Sequence, residues 1–261
     1  MDDRRAQEMQ LISVNGFMSM ADLVHHLRVS ESTIRRDLEV LEEQGVLRRT
    51  HGGAVCLKDS PVHRLAFSDR QTTAVTEKAA IACAVAELIP PGRTVIINGG
   101  TTCFQVAKAI QGRRLNVVTN SVPIASLLSA DSTTEVTLIG GYLYPRTGVA
   151  LGNMAERQLE GLHATQLVLS CAGVTEEGAF NANQMMVDVE RKMMQLADEV
   201  ILAVDHTKFG ARSLVKLCDL AEIDILVTDA GVDEPTRQWL ASLKAKVVVA
   251  GEAGHGSQEQ A

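Results

Sequence analysis

The sequence predicts an α/β protein in two parts: an N-terminal winged helix-turn-helix domain, then a larger domain on a mainly parallel sheet. Three observations lead there. Two short, capped helices stand only Arg28 and Val29 apart, ahead of an arginine-bearing glycine hairpin. From Pro90 onward, short apolar strands alternate with helices, the pattern of a parallel sheet covered on both faces. The length, 261 residues, exceeds one average domain.

Taken in order, residues 4–15 predict a first helix with Met9, Leu11 and Ile12 as core contacts. Ser19 caps a second, whose Leu23, Val24 and Leu27 form an apolar face. Ser30 caps a third. Its hydroxyl can accept a first-turn amide, Val29 and Ile34 occupy the two positions of a hydrophobic staple, and Glu31 meets the positive end of the helix dipole. Ile34, Leu38 and Leu41, spaced i, i+4, i+7, face the core. Ser32 and Arg36 then point away, flanked by Thr33 and Arg35. That face of hydroxyls and guanidinium groups suits phosphate oxygens and guanine edges; taken alone it would equally suit a solvated helix. The order of the elements favours the first reading, because Gly45 ends the helix and Arg48, Arg49, His51 and Gly52-Gly53 follow as two short strands around a turn. Helix, helix and basic wing together read as a binder of duplex DNA.

Residues 57–72, around Lys58-Asp59-Ser60-Pro61, have no period and read as a linker between a domain at 1–56 and a second at 73–250. The second opens with a helix over 73–88, its apolar side given by Val75, Ala79, Ala82 and Val85/Ala86. Strands are expected at 94–97, 115–118, 136–139, 167–170, 200–204, 223–227 and 247–249, with helices at 101–110, 123–128, 154–162, 184–197 and 235–243 between them. Residues 251–261 are small and polar and read as a disordered tail.

Composition sets bounds. Hydrophobic content of 46% and charge of 22% are those of a globular protein, and no apolar run reaches the length of a membrane span. Asp2 and Asp3 are unlike the basic opening of a secretory signal. Five dispersed cysteines without a CxxC pair favour reduced thiols, a cytoplasmic location and no zinc site. The net charge is −7, and the first 55 residues hold seven Arg against nine Asp and Glu. Placement outweighs the total, since a local basic face can bind phosphates on an acidic chain. Weak nonspecific attraction then calls for a homodimer or homotetramer.

In open parallel sheets, ligands bind beyond the carboxyl ends of the strands. The first such loop is Asn98-Gly99-Gly100-Thr101-Thr102, two glycines and two hydroxyls opening a helix whose free amides favour an anion. It is neither a Walker loop nor a dinucleotide fingerprint, so no cofactor is expected. A tight strand-to-helix turn would need glycine as well, and both readings stand. Thr119-Asn120, Gly140-Gly141 and Asp205 to Lys208 follow later strands, Lys208 being the cation of this set; a surface lysine paired with Asp205 is the alternative there.

The run from Ser30 to Leu38, with Leu41-Glu42, Gly45, Leu47, Arg49 and His51-Gly52-Gly53-Ala54, resembles the DNA-binding signature of the DeoR family of bacterial transcription regulators. Gly100-Thr101-Thr102, Thr119-Asn120, Gly140-Gly141 and Asp205 with Lys208-Phe209-Gly210 resemble that family's effector domain, whose fold is that of ribose-5-phosphate isomerase. The resemblance implies a repressor of a sugar catabolism operon, with a phosphorylated sugar as effector. DNA contacts would come from Ser30, Ser32, Thr33, Arg35, Arg36, Arg48, Arg49 and His51. Effector contacts would come from Asn98, Gly99, Gly100, Thr101, Thr102, Thr119, Asn120, Gly140, Gly141 and Lys208. Members often carry Asp where Asn98 stands. The rival is an isomerase-like enzyme with an appended DNA-binding domain. Proton transfer between adjacent carbons needs a poised carboxylate, and Cys171-Ala172-Gly173-Val174 stands where the isomerases carry an acidic cluster. No catalytic residue is therefore assigned.

Overall fold

Ser19 caps its helix as expected: its Oγ accepts the Asp22 amide at 3.1 Å, and α1 (Met20–Leu27) follows. This computed structural model describes residues 4, 5, 7, 8, 12, 17–43, 47–50, 52–56, 67–130 and 132–251. Met9, Leu11, Gly45, His51, residues 57–66 of the expected linker and residues 252–261 lie outside them. The chain divides into two units, Met1–Leu65 and Ala66–Ala261.

In the first unit, Arg28 takes the left-handed conformation (φ 53°) and donates its amide to Val24 O at 2.9 Å, which stops α1. Two residues on, Ser30 Oγ accepts the Thr33 amide at 3.4 Å and starts α2 (Glu31–Glu43). Strand β1 (Phe17–Ser19) precedes α1, while β2 (Leu47–Thr50) and β3 (Gly53–Cys56) form the hairpin. The sheet runs β1-β3-β2, antiparallel throughout. Sequence periodicity missed β1, because three residues are too short to show alternation. Ile12, Leu23, Ile34, Leu38, Leu41, Leu47 and Ala54 are buried together. A fully buried Leu or Ile contributes about 1.5–3 kcal/mol, so this small core hangs on the periodic residues of α2.

The second unit is built on seven parallel strands. They are β4 (Thr94–Ile97), β5 (Leu115–Thr119), β6 (Thr134–Leu138), β9 (Ala164–Leu169), β12 (Ala197–Ala203), β14 (Ile225–Asp229) and β15 (Lys246–Ala250). Their spatial order is β15-β14-β12-β9-β4-β5-β6. Alternate residues feed two cores. Val95, Ile97, Val168 and Ile201 pack with α4 (Val75–Glu87), α5 (Thr101–Ala109) and α6 (Val122–Leu128). Ile96, Leu167, Leu169 and Leu202 pack with α7 (Asn153–Leu159), α8 (Gln184–Met194) and α9 (Glu234–Ala241). Both faces are covered, as continuous apolar strands require.

Several elements depart from expectation. Residues 67–71, placed in the linker from sequence, form the short helix α3 (Phe67–Gln71) of the second unit. The buried stripe of α4 is Lys78, Ile81, Ala82, Val85 and Ala86, whereas Val75 and Ala79 are exposed. The hairpin β7 (Tyr142–Tyr144) and β8 (Val149–Leu151), and the small sheet of β10 (Gly173–Thr175), β11 (Gly178–Asn181) and β13 (Val215–Cys218), were not foreseen. They are three or four residues long, and their pairing supplies what their periodicity cannot.

Candidate functional sites

On α2 the core stripe and the outward face separate as the spacing implies. Ile34, Leu38 and Leu41 are buried, while Ser30, Ser32, Arg35 and Arg36 are exposed and Thr33 is half-buried. The three hydroxyls interlock: Ser30 Oγ lies 3.0 Å from Ser32 Oγ and 2.8 Å from Thr33 Oγ1. Arg35 folds back on Glu31, donating Nε at 3.1 Å and Nη2 at 2.7 Å. Arg36 has no partner among the described residues, so its guanidinium is available to a ligand.

Arg49 is tied to α2. Its Nε and backbone amide both donate at 2.8 Å to Glu42, and its Nη1 donates to Glu39 at 2.6 Å. The two carboxylates tie β2 to α2 through exposed pairs, as Glu31 holds Arg35. Arg48 lies in β2 opposite Val55, and His51 lies outside the described residues.

Asp37, which sequence reasoning passed over, is buried at 3% exposure. It accepts Arg4 Nε at 2.7 Å and Arg5 Nε at 3.0 Å. Burial pushes its carboxyl up, but the hydrogen bonds from Arg5 and Arg4 outweigh that and hold it below its ordinary value. A charged residue on the i+3 flank of Ile34 was the available signal.

In the second unit, strand order brings the predicted loops to one sheet edge. Asn98 to Thr102 follow β4, Asn120 follows β5, Gly140-Gly141 follow β6 and Lys208 follows β12. Gly100 occupies the N-cap of α5 without a side-chain cap, which leaves the first-turn amides open. The strand β12 stands two places from β4, roughly 10 Å away, within reach of a lysine side chain and one anion. Lys208 opens no pair with Asp205: Asp205 Oδ1 is taken by the Thr207 amide at 3.1 Å and by the Thr207 hydroxyl. Asp205 Oδ2 and Asn120 Oδ1 are buried and meet no donor among the described residues. Such atoms are costly unless a bound group or water completes them.

Several of the predicted residues also have partners inside the fold. Asn98 is buried at 2% exposure and turned inward, its Nδ2 donating to Glu190 Oε1 at 2.9 Å and its Oδ1 accepting the Cys103 thiol at 3.3 Å. A carboxylate at 98 could not donate that bond. Asn181 Nδ2 lies 2.9 and 2.7 Å from the two oxygens of the same Glu190. Burial raises the Glu190 carboxyl to about 8, against the pull of Asn181 and Asn98. Gly99 is small for packing, since a Cβ there would sit 2.0 Å from Val149 Cγ1. Gly141 (φ 154°) is small because a Cβ would lie 2.7 Å from Leu151 O. Thr119 Oγ1 accepts the Ser121 amide at 3.1 Å. Asn98, Thr119 and these two glycines thus have roles inside the fold, and the open groups at the edge are the α5 amides, Asn120 Oδ1 and Lys208.

Two cations at this edge escaped the sequence reading. Lys78 on α4 is 3% exposed, and its Nζ donates to Arg70 O at 2.8 Å and Thr73 O at 2.7 Å. Burial lowers it to about 8, with Asp205 opposing that fall and Lys208 and Arg70 adding to it. Lysine in the stripe Lys78-Ala82-Val85 was the missed signal. Arg70 on α3 lay inside the expected linker.

Comparison with known proteins adds two family matches. A family model described as the DeoR C terminal sensor domain matches residues 73–230, and one described as a DeoR-like helix-turn-helix domain matches residues 4–60. An uncharacterized HTH-type transcriptional regulator of Bacillus subtilis, YulB, is 34% identical over 248 residues, covering 94% of this chain and 95% of that one. The glycerol-3-phosphate regulon repressor of Escherichia coli is 34% identical over 223 residues, 85% of this chain and 88% of that one. Ribose 5 phosphate isomerase A of Neisseria gonorrhoeae is 14% identical over 52% of this chain and 53% of that one; its TM-score of 0.39 is too low to bear on function.

Proposed function

The chain belongs to the DeoR family of helix-turn-helix transcription regulators, and from that premise we propose that it represses a carbohydrate catabolism operon and lets go when a phosphorylated sugar binds. It acts on DNA rather than on a substrate. Arg36 reads bases, Ser30, Ser32 and Thr33 meet phosphates, and Arg35 joins them when it leaves Glu31. Arg48 and His51 reach the backbone from the wing. A homodimer or homotetramer in the cytoplasm sets two such helices on half-sites one or more turns apart.

One observation carries the effector half of this reading: the uncapped amino end of α5 faces the same sheet edge as Lys208, Lys78 and the unsatisfied Asn120 Oδ1. Open amides and the Lys208 ammonium recognise the phosphate, and Asn120 Oδ1 accepts from a sugar hydroxyl. The relative named for a glycerol-3-phosphate regulon is consistent with a small phosphorylated polyol or sugar. An effector that prefers the arrangement unfit for the operator shifts the population off DNA by that difference in affinity.

The test is a thermal-shift panel of phosphorylated and free sugars, followed by operator gel shifts with the compounds that stabilise the fold. The expected hit is phosphorylated, weakens operator binding, and loses its effect in Thr101→Val while basal operator binding persists. A panel in which free sugars do as well as their phosphates would remove the anion site.

A further inference from the structure

Arg70 brings a second cation to the sheet edge beside Lys208, and two of its donors are left open by the described residues. Its Nε and Nη2 are buried and have no partner among the described residues. Its carrier segment crosses the site. At one end, Phe67 N donates to Arg146 O at 3.0 Å, beyond β7, and the Phe67 ring meets Phe104 edge-on at 5.5 Å. Phe104 stands three residues into α5, the helix whose amino end is the proposed anion cradle. At the other end, Lys78 Nζ grips the carbonyls of Arg70 and Thr73, and Lys78 feels Asp205 and Lys208 beyond β12. The segment from Phe67 to Lys78 therefore straps the carboxyl edge of the sheet from the β7 side to the β12 side, passing α5.

From this placement we infer that Arg70 contacts the effector's anionic group directly, completing from above the cradle that the α5 amides and Lys208 form from below. The inference rests on the reading of that edge as an anion site and adds to it a residue, a strap and a geometry. A guanidinium buried with unpaired donors is expensive, and removing a partner costs far more than the pair returns. The planar fork matches a phosphate, two N–H groups to two oxygens. No ion pair holds Arg70 among the described residues. Lys78 has Arg70 and Lys208 as cationic neighbours and Asp205 and Glu77 as anionic ones, so positive groups gather where the strap meets this edge. Lys78, by contrast, has its ammonium bonded to two carbonyls and positions the strap.

The experiment uses the full-length protein, thermal unfolding and operator gel shifts, with inorganic phosphate, a set of sugar and polyol phosphates, and their unphosphorylated counterparts as probes. Arg70→Gln should melt at or above the wild-type temperature without ligand, because a stranded buried charge is gone. It should bind operator as before, and its apparent affinity for the phosphorylated probe should fall by about tenfold or more, the loss of one charge-assisted bond. Arg70→Lys should recover part of that affinity. If Arg70→Gln keeps the wild-type response while Thr101→Val loses it, Arg70 is no contact and the anion site stands. If no phosphorylated probe moves the wild type, the anion site falls and Arg70 with it. An Arg70→Gln protein that melts well below wild type without ligand makes Arg70 a structural prop and also overturns the inference.

Discussion

Replacing Asp37 with Ala should loosen α2 from the N-terminal helical residues by about 2 kcal/mol. The carboxylate is 3% exposed and takes contacts from Arg4 Nε at 2.7 Å, Arg4 Nη2 at 2.6 Å and Arg5 Nε at 3.0 Å. Breaking a buried ion pair costs about 3–5 kcal/mol when the remaining charge is stranded. Here the partners are not stranded, because the Arg4 and Arg5 side chains keep 30% and 24% exposure and can turn to water. Loss of Asp37 also relieves Glu8, a buried carboxyl raised to about 7 by burial and then by Asp37 itself. Both effects reduce the figure to about 2 kcal/mol, close to the net worth of hydrogen bonds to a charged group. Amide hydrogen exchange of the α2 peptide in the full-length protein reads this locally, and the expected acceleration is about 30-fold. The pH dependence has a definite sign. The folded Asp37 carboxyl lies below 3.8, so its stabilisation is full above 3.8 and disappears as pH falls through the lower, folded value. Wild type and variant should converge in acid. An acceleration under about threefold at neutral pH would refute the reasoning.

Four further outcomes follow from the same geometry. Arg36→Ala should cost about 1–3 kcal/mol of operator binding if the contact is a bidentate base readout, measured by titration at fixed salt; Glu31→Ala should tighten binding by freeing Arg35 from its i, i+4 partner. Thr101→Val should retain operator affinity and blunt the effector response, and an undiminished response would move the cradle elsewhere. Glu190→Gln should flatten the stability profile between pH 4.5 and about 8: the folded carboxyl keeps its proton there while the unfolded one has lost it, so wild-type stability declines as pH rises through that window and levels off above it. Urea midpoints across the range would check the slope.

Much of the fold was readable from residues close together in the chain. Ser19 and Ser30 cap their helices, Ile34, Leu38 and Leu41 are buried, and β4 begins and ends where Thr94-Val95-Ile96-Ile97 predicts. Capping, amphipathic spacing and apolar runs are short-range properties, so they can be read without knowing the partner. The parallel arrangement followed because apolar strands separated by helices have few other ways to bury both faces. What escaped was settled by a partner in another element. Asn98 looked like a pocket residue until Glu190, 92 residues on, claimed its amide. Arg49 reads as a wing residue, and its tie to Glu39 and Glu42 on α2 shows only in the fold.

By itself, then, the sequence determined the two-part architecture, the outward face of α2 and the loops that gather at the carboxyl edge of the sheet. The tertiary structure alone decided which polar groups remain open there. A hydrogen-bonding group is spent or free according to what stands within about 3 Å of it. For Asn98 that neighbour is Glu190, 92 residues away; for Arg49 and Lys78 it lies nearer along the chain but in another element or loop, whose placement the tertiary structure sets.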